Sequence, residues 1–172
     1  MVRFRLPGRS AEPVLPNAER AALELHDGER VLAAAPVTGG GWAVASEHAL
    51  HLPGARLPWF TVLRAAWDRD DDVLTVETVT DGDIPGTHRI LPLDAPGRVP
   101  EVVRERVSAS IVLTERVWLR PSVGLLVVAR RVPGSTELGW QLVLDEGLDP
   151  QDPELQSLAQ QALEEVRTRS GL

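Results

Sequence analysis

The sequence contains no cysteine, no lysine and no tyrosine. Without cysteine there are no disulfides, no thiolate metal sites and no cysteine nucleophile. All 18 basic side chains are arginine, and there is a single asparagine, Asn17, and only three isoleucines. Residues with A/T-rich codons are scarce throughout, the bias of a GC-rich genome such as an actinomycete's. Arginine is therefore not, by itself, a sign of bidentate recognition in this chain. No run of about 18 apolar residues is present, so no spanning helix is expected. The segment Met1–Ser10 carries Arg3, Arg5 and Arg9 with no apolar stretch behind them. A secretory signal is not expected, and the expected location is cytoplasmic.

What is present is ordinary for a globular chain: 43% apolar and 25% charged residues. The length of 172 residues suits one domain, or two small halves sharing a core, and needs no covalent staple. The net charge of −7 repels phosphate backbones and anionic lipid headgroups. The local basic pairs Arg104/Arg106 and Arg130/Arg131 are short. Neither a nucleic-acid nor a membrane partner is expected.

Residues 1–16, with Pro7, Gly8, Pro13 and Pro16, read as a tail. Asn17 is a suitable N-cap for a helix with Ala18, Ala21, Ala22 and Leu25 on one face, ended by His26-Asp27-Gly28. Short β-like runs follow at Arg30–Val37, Trp42–Ser46, Ala49–Leu52, Trp59–Asp68, Val73–Val79 and His88–Leu93. They are separated by turn residues such as Thr38-Gly39-Gly40-Gly41, Pro53-Gly54, Asp70-Asp71-Asp72, Asp81-Gly82-Asp83 and Pro85-Gly86. Residues 99–119 suit a helix by Val99, Val102, Val103 and Val107, and a strand by the alternation of Val107, Ala109, Ile111 and Leu113. A helix over 99–106 running into a strand over 107–119 fits both patterns. A hairpin of 123–132 with 138–144 comes next. A final helix is capped by Asp152 with Pro153 at its first position, and carries the apolar stripe Leu155, Leu158, Ala159, Ala162, Leu163 and Val166.

Short strands followed by a helix over 29–106, with the run Leu57-Pro58-Trp59-Phe60-Thr61-Val62-Leu63-Arg64-Ala65-Ala66-Trp67-Asp68, resemble the bacterial pleckstrin-homology-like domains of small actinobacterial proteins. The resemblance implies an α+β fold, mainly an antiparallel β-roll or barrel over 17–106, with a non-enzymatic role. Residues 107–172 read as a β-β-β-α extension sharing the same core and ending in the amphipathic helix. Lipid-binding members of the class use basic residues in the loop joining the first strands. Here that loop, Thr38–Gly41, is uncharged, so lipid binding does not carry over.

His48 and His51 lie three apart in Ser46-Glu47-His48-Ala49-Leu50-His51. A zinc pair at that spacing needs a helix, whereas this segment reads as a β-turn; a third ligand would have to come from His88, Glu47 or a distant Asp. Asp68-Arg69-Asp70-Asp71-Asp72 lacks the glycine and the distal glutamate of a calcium loop, and Asp145-Glu146-Gly147-Leu148-Asp149 also departs from that pattern. Gly39-Gly40-Gly41 feeds a strand, not a helix N-terminus, and no cation lies near it. No serine sits in a Gly-x-Ser-x-Gly elbow. Glu77 and Glu115 fall on strands, where facing solvent is the simpler reading. No catalytic residue, metal ligand or cofactor is assigned. Of the five tryptophans, Trp42, Trp59, Trp67, Trp118 and Trp140, most are expected to pack the core, and Trp59, which follows Pro58 at a strand start, is the one expected to be partly exposed.

The expected function is a non-catalytic protein-interaction or scaffold module, with a protein partner or self-association. Its candidate surface is Trp59, Trp42, His48 and His51. The competing expectation is a small-ligand binder or enzyme with a pocket lined by Trp and His inside the β-roll.

Overall fold

The computed structural model describes residues 12–79 and 86–172. Most of the tail at 1–16, including its three arginines, and most of the loop at Asp81–Gly86 lie outside the described residues. The fold is α+β, with three antiparallel sheets and three α-helices among the described residues. Among the described residues no sheet closes into a barrel. The chain divides into two compact units, Met1–Ser108 and Ala109–Leu172.

In the first unit, α1 (Asn17–Ala21) is a single turn and a half with no buried residue. It stops short of Leu25 because its alanines face no core. Asn17 opens the helix instead of capping it; Pro16 holds the cap position. The first sheet runs in the order β1 (Val31–Pro36), β2 (Trp42–Ser46), β3 (Ala49–Leu52), β4 (Ala55–Pro58). The β1–β2 turn has positive φ at Gly39, Gly40 and Gly41, which is why three glycines occupy it. β4 was not expected from the sequence. It is an edge strand of four residues with only Leu57 buried, and Pro58 is tolerated because an edge leaves one side of the backbone unpaired.

A 3-10 turn, Trp59–Thr61, then leads into the second sheet, β5 (Val62–Asp68), β6 (Val73–Thr78), β7 (His88–Pro92). The β5–β6 hairpin turns through the aspartates. Asp68 Oδ1 accepts from the amides of Asp70 and Asp71, an Asx-type turn that explains the acidic run structurally. On β6 the alternation holds: Leu74 and Val76 are buried while Val73 and Thr75 are not. The two sheets are tied at one corner by a bridge between Val37 and Leu93 and by Thr38 Oγ1 donating to Asp94. Their inner faces share one core, to which α2 (Val99–Ser110) adds Val99, Val102, Val103 and Val107. The helix continues four residues past 106 because Val107 falls one turn after Val103 and is buried with it.

The second unit is a three-stranded antiparallel sheet in the order β10 (Leu138–Leu144), β9 (Val123–Arg131), β8 (Ile111–Arg120). Helix α3 (Pro153–Ser170) lies on one face of it. Asp152 accepts from the Glu154 amide as N-cap, and Ala159, Ala162 and Val166 bury against Leu125 and Val127. At Gly124 the strands approach closely: a Cβ there would stand 2.3 Å from the Val117 carbonyl oxygen. Opposite Gly124 on β8 is Trp118.

Candidate functional site

The first unit gathers its polar side chains around Glu29, two residues before the chain enters β1 at Val31. The Glu29 side chain is fully buried. Its Oε1 accepts from Ser46 Oγ at 2.5 Å and from the His48 amide at 3.2 Å, and its Oε2 from the His26 amide at 2.9 Å. Burial alone would raise the carboxyl pKa, but the Ser46 hydroxyl and the two amides outweigh it and hold the group below its ordinary value. Ser46 Oγ has one proton, and the charged carboxylate is its strongest acceptor. The His51 Nε2 at 3.3 Å from the same oxygen therefore carries a hydrogen and donates. Burial pushes His51 below the usual imidazole pKa, helped by Arg56, against the opposing pull of Glu29 and Glu24. His51 is thus a neutral interior group.

The surface expected from the sequence, Trp59, Trp42, His48 and His51, is largely turned inward. Trp59 is 3% exposed, contrary to expectation. Its indole Nε1 donates to the Ser46 carbonyl at 3.1 Å and its amide to the His48 carbonyl. Pro58 starts the turn that tucks the ring inward. His51 is buried as well, while Trp42 and His48 are half-buried. His48 and His51 diverge, as expected of a β-turn at that spacing. His51 turns in to Ser46, and His88 sits on β7 at 3.8 Å from Glu77. His48 instead faces His26, with ring centroids 5.7 Å apart, and Glu29. The three residues His26, Glu29 and His48 each bring a ligand-capable atom within 4.8 Å of the others. Glu29 and His26 carried no signal in the sequence, because it is the β1–β2 hairpin that brings positions 17 to 22 residues apart together.

Two clefts bear on the small-ligand expectation. One of about 590 Å³ is lined by Trp67, Arg69, Glu101 and Arg104 and has no histidine. One of about 300 Å³ is walled by His51, Leu23 and Arg56 and has no tryptophan. Neither joins the two residue types.

The second unit carries the exposed tryptophan. Trp118 is 62% exposed on β8, one of the two edge strands of its sheet. The Arg116 guanidinium lies 4.5 Å from the centre of its ring and 2.6 Å from Asp145. Asp145 also accepts from the Gly124 amide at 2.7 Å, so the arginine over the indole is held from the far side of the sheet. Along β8 the exposed set Thr114, Arg116, Trp118 and Arg120 alternates with the half-buried Leu113, Glu115, Val117 and Leu119. Leu113, Val117 and Leu119 pack towards the core under α3.

Comparisons with family models, with curated proteins and with solved structures find no match. No helix among the described residues is long and apolar enough to cross a membrane.

Proposed function

We propose that the chain is a non-catalytic protein-interaction module that pairs with a second copy of itself through the free edge of β8. The observation that carries this reading is Trp118, a large ring left 62% exposed on an edge strand. Exposed tryptophan backed by arginine is the composition of an interface anchor. An edge strand of ten residues offers a row of backbone donors and acceptors to another extended segment. Two β8 strands are self-complementary when antiparallel. Centring the pair on Val117 sets Arg116 opposite Trp118 of the partner subunit, repeating between chains the guanidinium–indole contact made within one. The seven strands closed by α2 in the first unit support the pleckstrin-homology-like reading of residues 29–106. The open sheets are its departure from a roll.

Sedimentation velocity over a concentration series tests the proposal. The expected result is a mass rising to that of two chains, with Trp118→Ser remaining a single chain. The substitution is expected to change unfolding free energy by no more than about 0.5 kcal/mol, as for an exposed side chain. A single-chain mass at every concentration overturns self-pairing.

A second reading, a small-ligand binder, rests on the cleft beside Trp67, whose ring would suit a flat ligand and whose arginines, Arg69 and Arg104, are matched by the carboxylates of Asp72 and Glu101.

A further inference from the structure

The geometry points to a transition-metal site formed by His26, Glu29 and His48, with a dication such as Zn²⁺ as its ligand. The site lies apart from β8 and does not depend on the interaction reading.

Three observations converge. The first is the donor set: two imidazoles and one carboxylate within 4.8 Å of one another, the ligand types zinc takes with a fourth position left to solvent. The second is His48 Nδ1, a buried nitrogen without a hydrogen-bond partner. It stands 3.6 Å from Glu29 Oε2. That is too long for a hydrogen bond, yet close to the roughly 3.3 Å that separates two ligands bound at 2.0–2.1 Å with tetrahedral angles. The third is the rigidity of the frame. The His48 and His26 amides both donate to the Glu29 carboxylate, and the Glu29 amide donates to the His26 carbonyl. The Glu29 carboxylate and the backbones that carry both imidazoles are thus held in place before any ion arrives, which is part of what a preorganised site requires. Oε2 accepts only the His26 amide among these bonds and keeps a lone pair for the ion.

One group opposes the ion. Arg56 donates to His26 Nε2 at 3.2 Å, occupying that lone pair and adding a positive charge. Displacement of the half-buried Arg56 guanidinium by a dication is therefore part of binding, and Arg56→Gln is expected to tighten it.

The test is calorimetric titration of the chelator-stripped full chain with Zn²⁺. The expected result is one ion per chain with a Kd of micromolar order. His48→Gln and His26→Gln should each weaken it by at least about tenfold, since removing a ligand costs no less than removing an outer-shell partner. His88→Gln, whose ring pairs with Glu77 on β7, should leave it unchanged. Circular dichroism of each variant separates loss of fold from loss of binding. For the unmutated chain, Co²⁺ should give the visible absorption of tetrahedral nitrogen–oxygen ligation. No binding up to millimolar zinc, no cobalt band, or an unchanged Kd in both histidine variants overturns the proposal.

Discussion

Replacing Trp59 with alanine is expected to lower the unfolding free energy by about 3–5 kcal/mol, the range for deleting a buried aromatic ring. Trp59 belongs to the core cluster of the first unit, with Leu50, Leu57, Val62 and Leu74 among its members. The loss has two parts. A ring that can bury on the order of 200 Å² leaves a cavity that the surrounding β-sheets close only in part. The Ser46 carbonyl loses the indole Nε1 and is left unsatisfied in the interior, at about 1–3 kcal/mol. Trp59→Phe separates these parts, because it keeps most of the ring and loses the donor. Urea titration followed by circular dichroism checks both. A drop below about 1 kcal/mol for the alanine variant would mean that Trp59 is not the core anchor described.

Glu29→Ala is expected to cost about 3 kcal/mol, because it takes the charged acceptor from the His26 and His48 amides and from Ser46 Oγ, which is left with only the Ala49 carbonyl to donate to. The same cluster sets the acid limb of stability. The folded pKa of His51 is lowered, so the unfolded chain takes up a proton more readily than the folded one. Stability from His51 is complete above the unfolded value of about 6.5 and is lost as pH falls through its lower folded value. The folded pKa of Glu29 is also lowered. Its contribution is complete above the unfolded value of about 4.3 and is lost as pH falls further, through the folded value. Unfolding free energy measured from neutral to acid pH is therefore expected to decline in two stages. His51→Gln should remove the upper stage and Glu29→Gln should reduce the lower, to which Glu47, held low by its hydrogen bond from Arg30, also contributes. A curve unchanged by either substitution would contradict the assigned protonation states.

The elements legible in the sequence were those whose own residues decide them. Asp152 and Pro153 begin α3 and its stripe ends up inside. Strands β2, β3 and β10 fall on the expected residues, and the two faces of β6 separate as their alternation requires. The differences have physical causes. β4 carries a single buried residue between an arginine and a proline, and it exists only because β3 offers it a partner. α2 outruns its expected end because Val107 finds the core, which local alternation cannot report. Trp59 looked like a surface residue because Pro58 precedes it, yet that proline starts the turn that buries the ring. Trp118 carried the better signal of exposure: it alternates with Arg116 and Arg120, whereas Val117 and Leu119 occupy the other face. Of the Glu29 cluster, the sequence showed only His48 and His51. Their partner Glu29 becomes a neighbour through strand pairing, and no local spacing encodes that.

Hydrogen exchange along β8, read by mass spectrometry at low and high protein concentration, tests the interface most directly. The account predicts that the segment Thr114–Arg120 exchanges more slowly as concentration rises, and that Trp118→Ser removes this dependence. Exchange across Thr114–Arg120 that is the same at every concentration would contradict it.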